Sequence, residues 1–142
     1  MKLNPRITAI TLVIIYISLV FFCCLYRFSG SESLDLGQYF LGIRLDRCIH
    51  FTMFLPYPFV GWILINYDKK LNGWKKYTFS ILLISGMILA TTAEASQEML
   101  TSYRDTDPFD LIANFIGIAT GTLLVYILKG FLKRISDWIF TV

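Results

Sequence analysis

Residues 94–121 read EASQEMLTSYRDTDPFDLIANFIGIATG. The polar part begins with Glu94-Ala-Ser-Gln97, passes Arg104, and ends in Asp110-x-x-x-Asn114-x-x-Gly117-x-x-x-Gly121. One apolar run, 77–93, leads into it, and another, 111–128, carries its last residues. Runs of about 18 or more apolar residues are long enough to cross a bilayer as a helix. Acidic, amide and basic groups therefore stand where two membrane spans come together.

Working outward, two further runs appear. Residues 7–26 carry no charge, and 48–67 follow Asp46-Arg47 and contain the only histidine, His50. The fold class expected is an all-α membrane protein with four transmembrane helices, at about 7–26, 48–67, 77–95 and 110–128. Beyond the fourth, Phe131, Ile135, Trp138 and Ile139 recur at helical spacing among Lys133, Arg134 and Asp137. That pattern predicts a short amphipathic C-terminal helix at the membrane surface, with Trp138 at headgroup level. The whole of 1–142 reads as a single transmembrane domain.

Composition agrees with this class. Of 142 residues, 56% are hydrophobic and 16% charged, against roughly 25% charged in average soluble chains. The first run is longer than the about 7–15 apolar residues of a signal peptide, and Val20-Phe21-Phe22 is bulky where a peptidase needs small side chains. It is expected to stay as a retained span. Pro56 and Pro58 predict a kink near the middle of the second span. The segment 27–47 mixes Leu34, Leu36, Phe40, Ile43 and Leu45 with polar residues and suits the membrane interface. Three cysteines make no C-x-x-C pair and no disulfide framework. Basic residues do not cluster with aromatics, so no nucleic-acid partner is expected; the lipid bilayer is.

Charge orients the chain. Four spans put both termini on one side, together with the loop around 68–76, and that side holds nine lysines and arginines against four on the other. The positive-inside rule places the nine in the cytoplasm. Acids segregate oppositely, so the inner side carries +7 and the outer −4 within the net +3. The expected location is the bacterial cytoplasmic (inner) membrane, with both termini cytoplasmic and the polar cluster outside.

The cluster gathers from several spans. Asp46 and His50 are four apart and share a helix face. Glu94 and Gln97, three apart, share another. Asp110, Asn114, Gly117 and Gly121 lie on one stripe of the fourth span. Gly86, Ala90 and Ala93 form a facing stripe on the third, so these two spans are expected to pack closely through small residues. Ionisable groups at membrane depth are costly and usually face a bundle interior or a wet cavity. His50, Glu94 and Asp110 are the candidate catalytic acid/base residues. Asp46, Arg47, Gln97, Arg104 and Asn114 are the candidate substrate-binding residues, the arginines for a phosphate or carboxylate. One histidine with no H-x-x-x-H pair argues against a metal centre, and no cofactor is expected.

The order Asp46-Arg47-x-x-His50-Phe51, Glu94-x-x-Gln97, Arg104, Asp110-x-x-x-Asn114-x-x-Gly117-x-x-x-Gly121 resembles the VanZ-like family of bacterial membrane proteins, over about residues 45–121. That family usually has lysine where Arg47 stands, and often tyrosine where this chain has Phe54. The resemblance implies a small multi-span protein whose namesake is linked to teicoplanin resistance. It implies no reaction.

Two functions follow as expectations. The first is an outward polar pocket that binds or acts on an envelope component, such as a lipid-linked or anionic headgroup, in envelope integrity or glycopeptide tolerance. The second is a non-catalytic scaffold or accessory subunit whose polar cluster locks the bundle. A transporter fits less well, since no internal repeat is readable in four spans; a homo-oligomer stays open.

Overall fold

A computed structural model of the chain describes residues 4–25, 39–40, 42–67, 69–100 and 107–141. Helix α1 spans Pro5–Leu25, α2 Leu45–Phe54, α3 Tyr57–Tyr67, α4 Thr78–Leu100 and α5 Pro108–Thr141. Two short strands, β1 Tyr39–Phe40 and β2 Ile43–Arg44, pair antiparallel ahead of α2. Gly42 turns between them at φ +82°, a conformation that suits glycine. Four segments are long and apolar enough to cross a membrane: Arg6–Leu25, Leu45–Tyr67, Leu71–Leu100 and Pro108–Trp138. The four-span, all-helical membrane fold is therefore as the sequence implied.

Helix starts follow local chemistry. Both α1 and α5 open on an Asx-Pro pair. Asn4 Oδ1 accepts from the Arg6 N–H at 3.1 Å, and Asp107 Oδ1 from the Phe109 N–H at 2.9 Å. The side chain caps an orphan donor, and proline at the first helical position has no N–H to leave unmet. The second span is broken at Leu55–Pro56, because Pro56 cannot return an N–H to Thr52. The hydroxyl of Tyr16 on α1 donates to the Met53 carbonyl, at 2.7 Å, in the last turn before the break.

Two boundaries differ from the sequence expectation. The C-terminal amphipathic stretch is helical but continues α5 without interruption. Tyr67 at the end of α3 explains part of this, since its hydroxyl donates to Asp137 at 2.9 Å and holds the tail to the bundle. The basic connector, expected as a loop around 68–76, is a 3₁₀ segment, Lys69–Tyr77. The interface expectation for Leu34 and Leu36 falls outside the described residues, as does that for Arg104.

Helix α5 packs most extensively on α2, then on α4, while α1 lies against α3 and α4. A larger correction concerns the glycine stripe. Gly117 and Gly121 receive α2, not α4. A Cβ on Gly117 would meet the Phe51 carbonyl oxygen at 2.5 Å, and one on Gly121 would meet that of Leu55. Gly86 on α4 lies instead against Ile118 and Tyr57. The broken second span projects backbone carbonyls toward α5, and only glycine leaves room for them. An apolar layer of Val20, Cys24, Phe54, Ala90, Ala93 and Ile118 is buried among the helices, and a second of Trp62, Ile65, Leu82 and Val125 lies toward the other end. Large apolar side chains such as Ile15, Ile88, Ile116 and Ile127 remain exposed, as a lipid-facing surface requires.

Gly117→Ala is expected to destabilise the protein by about 1–3 kcal/mol, because backbone cannot yield as a side chain can. Gly130→Ala is the control: nothing lies within 4 Å of its added Cβ, and alanine favours the helix. Apparent unfolding temperatures in detergent should fall for the first and hold or rise for the second.

Candidate functional site

His50 sits one turn into α2, and its neighbours come from three helices. Its Nδ1 is 3.1 Å from Asn114 Oδ1 on α5 and 3.2 Å from Glu94 Oε1 on α4. Its Nε2 faces Asp110 Oδ2 at 3.7 Å and Asp46 Oδ1, one turn back on α2, at 3.8 Å. Asn114 ties the set together: its Nδ2 donates to Glu94 Oε1 at 2.8 Å. The contact of α2 with the α5 glycines sets these distances, since it brings His50 to the stripe that carries Asp110 and Asn114.

The cluster is sealed. Asn114 is 0% exposed, His50 2%, Glu94 3% and Asp110 4%. Three carboxylates around one imidazole in a dry interior carry a large desolvation cost unless protons or cations offset it. Among the described residues, the nearest guanidinium is that of Arg44, whose Nη2 lies 3.7 Å from Asp46 Oδ2. Asp46 thus turns one oxygen to the arginine and the other to His50.

Asp107 organises the rim. Its Oδ2 lies 3.3 Å from Arg44 Nη1 and 3.5 Å from Arg47 Nη2. The Phe109 N–H foremost, and the two arginines with it, hold its carboxyl below the usual carboxylate range. Arg47 also stacks its guanidinium over the Phe109 ring at 4.3 Å, and its buried Nε–H meets no acceptor among the described residues. From Arg47 an apolar groove of about 460 Å³ runs between α2 and α5, past Phe51, Phe109, Ile112 and Ile116. A second groove, about 750 Å³, lies between α1 and α2 beside Tyr16, Leu19, Ile49 and Met53. Neither is lined by His50, Glu94 or Asp110.

Of the residues singled out from sequence, His50, Asp46, Glu94, Asp110 and Asn114 come together. Gln97, expected beside the carboxylates, reaches the other way and donates to the Cys24 carbonyl of α1 at 2.8 Å. Arg47 stands at the rim with Asp107. Sequence reading missed Asp107 and Arg44 as the rim pair and Tyr16 as the partner of the kink. Asp107-Pro108 was the available signal, since it marks a capped helix start; nothing local points from Tyr16 to Met53.

A family model described as VanZ/LLP1 matches residues 8–129, which include all five clustered residues. No curated protein and no solved structure matches the chain.

Asp107→Ala removes both the α5 cap and the acceptor shared by the two arginines. A stability loss of about 1 kcal/mol is expected at neutral pH. Because the folded-state carboxyl titrates below its ordinary 3.8, this contribution is complete above 3.8 and fades as pH falls through the lower folded value. Unfolding temperatures of wild type and variant should therefore converge in strong acid. A gap that persists there would show that the charge is not what matters.

Proposed function

The chain belongs to the VanZ/LLP1 family, and from that premise we propose that it binds or acts on an anionic, lipid-linked component of the cell envelope. The observation that carries this reading is Arg47, which stands at the head of an apolar groove with a buried donor turned to no described acceptor. A phosphate or carboxylate headgroup would meet Arg47 and Arg44. Its hydrocarbon chain would follow Phe51, Ile112 and Ile116, which already face lipid. Beneath the rim, His50 with Glu94 and Asp110 is the acid/base centre of the proposal, the imidazole fixed by Asn114. The nine-to-four division of basic residues supports the outer face of the cytoplasmic membrane for this end, with both termini inside. The biological role proposed is envelope integrity, including tolerance of glycopeptides.

A second reading rests on the sealing of the cluster. Asn114 at 0% exposure, bonded to Glu94 and facing His50, is what a hydrogen-bonded lock between three helices looks like. On that reading the protein is a scaffold or accessory subunit. Alanine at His50, Glu94 or Asp110 separates the two: normal membrane abundance with a lost envelope phenotype supports the site, and disappearance of the protein supports the lock.

For the headgroup itself, mass spectrometry of lipids retained through purification is the direct test. Wild type should enrich an anionic or lipid-linked species over bulk lipid. Arg47→Ala, losing a charge-assisted contact of about 1.5–3 kcal/mol, should retain it at least about tenfold less. Equal retention by wild type and a folded Arg47→Ala protein would sink the proposal.

A further inference from the structure

We propose that Asp46, His50 and Asp110 form a binding site for one divalent transition-metal cation, of the zinc or manganese class. It deepens the reading above, in that it rests on the cluster being a working site, and it makes His50 and Asp110 ligands of the ion rather than its acid and base.

The argument begins with the imidazole. Both neighbours of Nδ1 are acceptors: Asn114 Oδ1 at 3.1 Å and Glu94 Oε1 at 3.2 Å. The amide of Asn114 is oriented by its own donation to that Glu94 oxygen, so its carbonyl end faces the ring. Nδ1 therefore carries a hydrogen, and in neutral imidazole Nε2 presents a lone pair. That lone pair points at carboxylate oxygens of Asp46 and Asp110. One nitrogen and two carboxylate oxygens, three ligand-type atoms, thus converge on one space.

The spacing favours an ion. At 3.7 and 3.8 Å from Nε2, the two oxygens are beyond hydrogen-bond length. Ligands about 2.0–2.2 Å from a tetrahedral ion stand roughly 3.3–3.5 Å from one another. All three candidate ligand atoms lie within 4.8 Å of each other, so each oxygen needs to close on Nε2 by only a few tenths of an ångström, and the two oxygens on each other by at most about 1.5 Å.

The surroundings are those of a metal ligand. Metal-bound histidines commonly donate their other N–H to a carboxylate or carbonyl, which fixes the tautomer; here Glu94 and Asn114 stand in that place. Asp46 keeps Oδ1 for the site because Arg44 lies against its Oδ2. A dication would offset two of the three buried carboxylate charges, and Arg44 lies against Asp46. Three protein ligands of mixed nitrogen and oxygen type also leave a coordination position for water or a headgroup oxygen. The absence of an H-x-x-x-H pair is no obstacle once the site is seen to be D-x-x-x-H on α2 with a carboxylate from the first turn of α5.

The test uses the full chain in detergent, stripped with chelator and then loaded with zinc or manganese. After desalting, elemental analysis should find about one metal per chain, and loading should raise the unfolding temperature. His50→Gln and Asp110→Asn should lower affinity at least tenfold while unfolding like the metal-free wild type; Cys48→Ser should bind as wild type does. X-ray absorption on the zinc-loaded wild type should report nitrogen and oxygen ligands without sulfur, a result independent of whether the variants fold. No stoichiometric metal, unchanged affinity in His50→Gln, or a sulfur shell from the cysteines would each overturn the site. Loading that fails while wild type still enriches an anionic lipid overturns the cation alone. Loading that succeeds without lipid enrichment overturns the headgroup reading and leaves the cation.

Discussion

The backbone of α2 lies directly on Gly117 and Gly121 of α5, and the rest of the polar end depends on that contact. A side chain at either position would meet a carbonyl oxygen, so no rotamer change could restore the distance. Pushing α2 outward would separate His50 from Asp110 and Asn114 and open the groove that starts at Arg47. The break that Pro56 makes lies at this contact. The Phe51 carbonyl keeps its helical bond from the Leu55 N–H while facing Gly117, and the Leu55 carbonyl, at the break itself, faces Gly121. Tyr16 then serves the Met53 carbonyl from the α1 side, so both faces of the break are supported.

Around this contact the bundle divides by polarity. Asp46, His50, Glu94, Asp110 and Asn114 occupy the end where α2 and α5 begin, while the layer of Trp62, Ile65, Leu82 and Val125 lies toward the other. Burying several carboxylates in an apolar interior opposes folding by several kcal/mol per uncompensated charge. Hydrogen bonds through Asn114 and the guanidinium of Arg44 offset part of this. Asp107 extends the network to the surface, where its charge is stabilised by the start of α5 and by two arginines.

Much of this was legible in the sequence, for identifiable reasons. Four uncharged blocks declare four spans because lipid tolerates nothing else, and Pro56 declares a kink because it lacks an N–H. The i, i+4 pairing of Asp46 with His50, and of Asp110 with Asn114, needs only helical periodicity. What periodicity lacks is the identity of the neighbour. Gly117 and Gly121 name a close approach without naming the helix that approaches, and the partner is α2 and its break rather than α4. Gln97 failed for the same reason: it shares a face with Glu94, yet its reach carries it to Cys24 of α1. Nor does an amphipathic stretch after Lys129 reveal whether the helix stops first, because that depends on Tyr67 holding Asp137 from another segment.

A lock and a functional centre make different demands on His50, and its two nitrogens respond differently. A pure lock gains by closing every polar contact to hydrogen-bond length, since each unmet group in a dry interior costs about 1–3 kcal/mol. Nδ1 meets that demand, with acceptors at 3.1 and 3.2 Å. Nε2 stands farther from the carboxylates it faces, at 3.7 and 3.8 Å. The ring is therefore held hard on one side and spaced on the other. Firm support at Nδ1 serves the packing of three helices, and on the proposed reading binding or proton transfer would act at Nε2.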